Sequence, residues 1–154
     1  MKTIKRWRYY CDFCKKSGGQ GAAMAKHERG CTLNPARVCR HCALTGGDSP
    51  TPLADLIAML PDPAKCTVHS PAEDLGEFGT VPAYDMLDDE VLRAAVHLVL
   101  PKLREASGHC PSCILAALRQ RGIPVPVVTE FNYSEELKSM WSEFNAERES
   151  SPYY

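Results

Sequence analysis

The chain has 154 residues, 44% of them hydrophobic, with a formal net charge of −1, eight cysteines, twelve prolines and ten glycines. That suits one ordinary domain, or a small metal module joined to a modest second lobe, and excludes wholesale disorder. No apolar run approaches the ~18 residues needed to span a bilayer, which excludes a membrane partner. The amino-terminal "MKTIKRWRYYCDFC" carries positive charge without the apolar core of a secretory signal. A cytoplasmic, reducing location is therefore expected, where clustered cysteines bind metal or do redox chemistry rather than form disulfides.

The near-zero net charge hides a division. Residues 1–42 hold ten Lys/Arg against Asp12 and Glu28, a net of +8, and the other 112 residues hold eight against seventeen, a net of −9. A basic module over 1–38 and an acidic, α-rich lobe over 39–154 are expected from this shift.

The first metal motif is Cys11-x2-Cys14-x12-His27-x3-Cys31. Zinc takes four N/S ligands in a tetrahedron. A CxxC knuckle points two thiolates at one ion, and HxxxC places two ligands four apart on the same face of a helix. "GAAMAKHERG" suits that helix, with good formers in the middle and Gly30 placed to end it.

These residues resemble the C2H2-type zinc-finger family, in its CCHC variant, over about residues 9–31. Tyr9 stands two before the first Cys and Met24 three before the His, where the family has its aromatic and its Leu. Gly18 stands where the family has a Phe, so the miniature core is thinner and needs support from the rest of the chain. The resemblance implies a ββα-like unit whose base-reading positions are Gln20, Ala23 and Lys26. Gln and Lys suit adenine and guanine, whereas Ala offers only methyl contact.

Two further knuckles, Cys39-x2-Cys42 and Cys110-x2-Cys113, are separated by 67 residues. Together they make a four-cysteine site of the zinc-ribbon or treble-clef kind, the wide gap being tolerable because loop closure costs rise slowly with length. Such a site would tie the basic module to the acidic lobe. The rival is a cross-brace of the RING type, but that arrangement separates its second and third ligand pairs by two or three residues, where this chain has seven. Sequential pairing is favoured, giving two structural Zn2+ ions. Cys66 is left over and reads as a buried or loop thiol. His41 and His109 adjoin knuckles without being needed as ligands, and His97 reads as a packed histidine.

Further along, "LADLIAMLPD" fits a short helix with Pro52 at its first turn, and the Pro-, Gly- and acid-rich residues 61–87 read as an irregular excursion. "DDEVLRAAVHLVL" predicts a helix capped by Asp88 or Asp89, with Leu92, Ala95, Val96 and Val99 on one face and Pro101 ending or kinking it. Pro111 and the following "SCILAALRQRG" predict a helix with Cys113 in its first turn, running to about Gly122. "IPVPVVTEFNY" reads as an edge strand or extended segment, because Pro124 and Pro126 bar it from a sheet interior. A last helix should start near Asn132, with Leu137, Met140, Trp141 and Phe144 as a core-facing stripe. The expected fold is a small, mostly α, zinc-stabilised domain: a ββα-like finger plus the knuckle pair, with helices and one extended segment.

Four protein ligands per ion leave no position for a reacting water, which disfavours zinc hydrolysis. The deaminase pattern fails because no HxE occurs and Pro follows Cys110 instead of preceding it. A non-enzymatic accessory or regulatory factor that binds DNA or RNA is expected. Lys5, Arg6, Arg8, Lys15, Lys16, Lys26 and Arg29, with Gln20, are the candidate contacts, and Trp7, Tyr9 and Tyr10 lie among them as stacking groups. The competing class is a zinc-stapled adaptor or inhibitor that docks on a larger protein. Compact chains with mixed CxxC and HxxxC pairs are similar to the small zinc proteins of phage and mobile-element genomes.

Overall fold

A computed structural model describes residues 7–46 and 49–149; Lys5 and Arg6 of the candidate contacts lie outside them. The chain opens with two short antiparallel strands, β1 (Tyr9–Tyr10) and β2 (Ser17–Gly18), with Tyr9 opposite Gly18. Helix α1 (Gly21–Gly30) follows. The Tyr9 ring lies over Gly21, where a Cβ would stand 3.1 Å from the ring, so glycine lets the ring pack there without shifting. At Gly18 the methyl of Met24 lies 3.5 Å from where a Cβ would be, so Met24 occupies part of the space beside it. The buried residues of this unit are only Cys11, Met24 and Cys31, with Cys14 packed against them.

Next come α2 (Arg40–Leu44) and α3 (Leu53–Met59), the latter entered from Pro52, whose carbonyl accepts from the amides of Asp55 and Leu56. Residues 67–87 are not irregular. β3 (Thr67–Ser70) pairs with β6 (Tyr84–Leu87), and β4 (Glu73–Asp74) with β5 (Thr80–Val81), making one antiparallel arm tipped by a 3-10 turn at Gly76–Phe78. Both faces of the arm are largely exposed, so no alternation of apolar and polar residues advertises it.

Helix α4 (Asp89–Ala106) is capped by the Asp88 carboxylate, which accepts from the amides of Glu90 and Val91. It runs through Pro101 rather than ending there. Pro101 and His97 are both exposed, so the carbonyl deprived of its amide partner can turn to water. His97 is therefore not packed; its Nδ1 lies 3.5 Å from Glu130 at the surface.

Helix α5 (Pro111–Arg121) is the centre of the molecule. It is buried from Pro111 to Leu118 and ends at Gly122 in the left-handed conformation. Around it gather Leu56, Leu60, Leu92, Val96, Leu100, Leu103, Ile123 and Val128, with Cys66 buried in the same core. The predicted extended segment instead makes one 3-10 turn at Val125–Val127, since its prolines leave too few amide donors for a ladder. Asn132 then caps α6 (Tyr133–Glu149). Its stripe of Leu137, Met140, Trp141 and Phe144 faces the body yet is only half-buried. The described structure is a small molecule, 55% helical, with two Cys/His clusters.

Candidate metal centres

The structure gathers the eight ligand candidates into the two sequential sets: Cys11, Cys14, His27 and Cys31, and Cys39, Cys42, Cys110 and Cys113. Within each set the ligand atoms all lie within 4.8 Å of one another. The cross-braced grouping is not the one formed.

The hairpin and α1 build the first set. The Cys11 amide donates to the Lys16 carbonyl, closing the turn that carries Cys11 and Cys14. α1 then presents His27 and Cys31, with His27 Nε2 3.2 Å from Cys14 Sγ. Tetrahedral Zn–S and Zn–N bonds imply a separation of about 3.6 Å, so Nε2 is the donor atom. The His27 pKa lies below its ordinary value, because the ring is partly withdrawn from water and Lys16 stands near. That shift favours the neutral imidazole, the form that ligates. Burial pushes the Cys31 thiol up.

Two helix starts build the second set. Cys39 and Cys110 are the residues before α2 and α5, and Cys42 and Cys113 follow on the first turns. Cys39 Sγ is 3.6 Å from Cys110 Sγ, and Cys42 Sγ is 3.6 Å from Cys113 Sγ. A disulfide needs about 2.05 Å, whereas two thiolates on one tetrahedral zinc stand about 3.8 Å apart. The crowding is electrostatic as well. Burial and the neighbouring thiolates of Cys113 and Cys39 push Cys42 up to about 12. Thiol hydrogen bonds from Cys110 and Cys113 hold Cys39 well below the ordinary thiol range. Four such thiols cannot all ionise without a cation between them, and a soft dication is what this donor set fits. Cys42, Cys110 and Cys113 are also members of the main core, so the second cluster and the hydrophobic centre are one structure.

Hydrogen bonds cross from the segment after α1 to the body. Asn34, buried, bonds the Glu28 carbonyl and the Ala36 amide. Gln120 Nε2 donates to the carbonyls of Thr32 and Asn34, and Arg119 donates to Thr32 Oγ1. Arg37 Nη1 donates to the Ser112 carbonyl at 3.2 Å and reaches toward Cys113 Sγ at 3.9 Å. Beside the second cluster, His41 Nδ1 and the Tyr133 hydroxyl both meet Ser112 Oγ, and Trp141 stands edge-on to the His41 ring at 5.9 Å. None of these clips is legible in the sequence. Only one leaves a trace there: His41 and Ser112 occupy the same inner position of their two CxxC knuckles.

The described candidate nucleic-acid contacts Arg8, Lys15, Lys16, Gln20, Lys26 and Arg29 are all exposed. Among the described residues, the ion pairs join His69 to Asp85, His97 to Glu130 and Arg104 to Glu136, so these basic side chains have no carboxylate partner within 4.0 Å. Gln20 is the residue before α1, while Ala23 and Lys26 face a cleft toward the body. No helix among the described residues is long and apolar enough to cross a membrane. Comparison with family models, curated proteins and solved structures gave no match.

Proposed function

We propose that this protein is a non-catalytic, zinc-stapled nucleic-acid-binding factor. The observation that carries the reading is the basic charge of the first module, where Arg8, Lys15, Lys16, Lys26 and Arg29 stand exposed without carboxylate partners among the described residues. Cations that stabilise a protein surface commonly sit beside acids on the same surface. Cations of one module left without carboxylate partners among the described residues, while −9 of formal charge collects elsewhere in the chain, suit a polyanion. The β1–β2–α1 unit would act as the finger that its ligand spacing resembles, and both zinc ions would be structural, since each set offers four protein ligands. DNA or RNA is bound chiefly through phosphates, because a helix presenting Gln20, Ala23 and Lys26 reads bases poorly.

The test is retention of the zinc-loaded protein on random DNA and RNA over a salt series. Replacing Lys15, Lys16 and Lys26 by Glu should abolish retention. Removing one lysine at a time should lower the log–log salt slope by about 0.9 per neutralised phosphate on duplex DNA. Unchanged retention by a folded triple variant would remove the module from the binding surface.

A second reading, a protein-docking adaptor, has one observation in its favour. The β3–β6 arm exposes Val68, Tyr84 and Met86, and Phe78 at its tip is 90% exposed, while Glu73, Asp74, Glu77 and Asp85 make the arm acidic. Loss of a protein partner on Phe78→Ser, with nucleic-acid retention absent throughout, would favour that class.

A further inference from the structure

Between the two cysteine clusters lies a cleft of about 410 Å³. Lys16 and Lys26 reach it from the first module, Arg37 from the connecting segment and Arg40 from α2, and among the described residues no carboxylate lines it. We propose that this cleft seats a phosphate group, supplied by the backbone of an extended single strand. The proposal rests on the nucleic-acid reading above and narrows it to a place and a strand form.

Convergence of four cations alone would describe a solubilised surface; what separates this cleft from one is that Arg37 is part-buried and bonded and the exposed Arg40 is bonded to the end of α1. Gly30 has no side chain where a Cβ would stand 3.2 Å from Arg40 Nε. Arg40 therefore lies flat against the end of α1 and donates to the Lys26 carbonyl. Arg37 is fixed through Nη1 on the Ser112 carbonyl, and its Nε is buried with no hydrogen-bond partner among the described residues, so packing holds the group in place. A phosphate oxygen is the acceptor whose geometry a guanidinium fork fits. Lys16 and Lys26 complete the cationic rim, and fixed donors lose little freedom when a ligand arrives.

Size and lining choose the strand form. A cleft of this volume admits a phosphate with its sugar, or one base, but not a double helix. Two of its walls are aromatic, His41 from α2 and Tyr133 from α6, and Ser112 Oγ fixes both through the His41 ring nitrogen and the Tyr133 hydroxyl. Such rings stack on bases that a duplex keeps hidden and a single strand exposes. Free inorganic phosphate shares the anionic chemistry, so the experiment must separate the two sources.

The zinc-loaded full chain, labelled with 15N, is titrated with inorganic phosphate, with a short oligothymidylate and with a duplex of equal length. The amides of Gly30, Thr32, His41 and Ser112 are expected to shift with phosphate and with the single strand. The duplex should bind the cleft at least tenfold more weakly. Ala23→Glu places a carboxylate on an exposed helical position of the cleft wall and should reduce single-strand affinity tenfold or more, as should Arg40→Ala. Lys102→Ala, on the exposed face of α4, should leave affinity unchanged. Retained zinc and an unchanged spectrum elsewhere establish that the variants fold. If phosphate moves the cleft amides and no nucleic acid binds, the phosphate seat stands and the nucleic-acid function falls. If nucleic acid binds while those amides stay still, the cleft proposal is overturned and the function stands. Equal binding of duplex and single strand in the cleft would overturn the strand assignment.

Discussion

Substitution of one thiol in each cluster should have unequal consequences, and the inequality follows from where the clusters sit. Cys42, Cys110 and Cys113 share a buried core with Leu56, Ile114 and Leu118. Cys113→Ser thus opens the site on which α2 and α5 meet. Structural zinc in isolated modules is worth roughly 10–16 kcal/mol of apparent binding energy at neutral pH. A whole domain is stable by only about 5–15 kcal/mol, so losing this ion should unfold the body. Cys14→Ser acts on a core of just Cys11, Met24 and Cys31, and the Gln120 and Arg37 clips to residues 32–38 and Ser112 do not involve that site. Its effect should stay local, with faster amide exchange over 9–31 and a nearly unchanged urea midpoint for the body. Cys66→Ser lies outside both ligand sets and should keep both ions. Native mass spectrometry counts zinc, urea denaturation reads the global transition, and hydrogen exchange locates the loosening. A wild-type count below two, equal global damage from Cys14→Ser and Cys113→Ser, or zinc loss from Cys66→Ser would refute the reasoning.

Trp141→Ala should cost about 1–2 kcal/mol in urea denaturation, less than the ~3–5 of a fully buried aromatic, because Trp141 is half-buried and rests edge-on against His41 and Phe144; a loss near 4 would place it in the core. Gln120→Ala removes the donor to two carbonyls and should cost about 1–3 kcal/mol, seen as faster exchange over 32–38 with both ions retained. Loss of an ion from that variant would mean that the clip and the first cluster form one cooperative unit.

The candidate metal ligands are legible in the sequence because zinc imposes spacing: two residues inside a knuckle and one helical turn in HxxxC both survive in the linear chain. Helices α4 and α6 are legible through their caps at Asp88 and Asn132, and α5 through Pro111 in its first turn, all of them local signals. The arm over 67–87 is hidden because its strands bury neither face and so carry no period of two. His97 reads as packed because its apolar neighbours Val96, Leu98 and Val99 suggest a buried run, although Leu98 itself is 77% exposed. The cleft is illegible for a different reason. Its residues come from separate elements between Lys16 and Tyr133, and no short-range pattern encodes their meeting.

A plainer role for the basic module must be weighed, in which its cations serve only to balance the thiolates. Loaded with two dications, seven thiolates and a neutral His27 leave the centres with a combined formal charge of −3. Set against the +8 of residues 1–42, that leaves about +5. Position decides further than the sum. Arg37, with Nη1 3.9 Å from Cys113 Sγ, is placed to balance the second cluster, and Lys16 is near enough to lower the His27 pKa. Arg8, Lys15 and Arg29 are exposed, and charges in open solvent are screened from one another within about 8 Å at physiological salt. A counter-charge works by proximity to what it neutralises, and these three have no thiolate among their hydrogen-bond partners. Arg37 and Lys16 stand near the ligand sets and still line the cleft with Lys26 and Arg40, so balancing the thiolates leaves the cleft cations, and the exposed Arg8, Lys15 and Arg29, to meet a phosphate backbone.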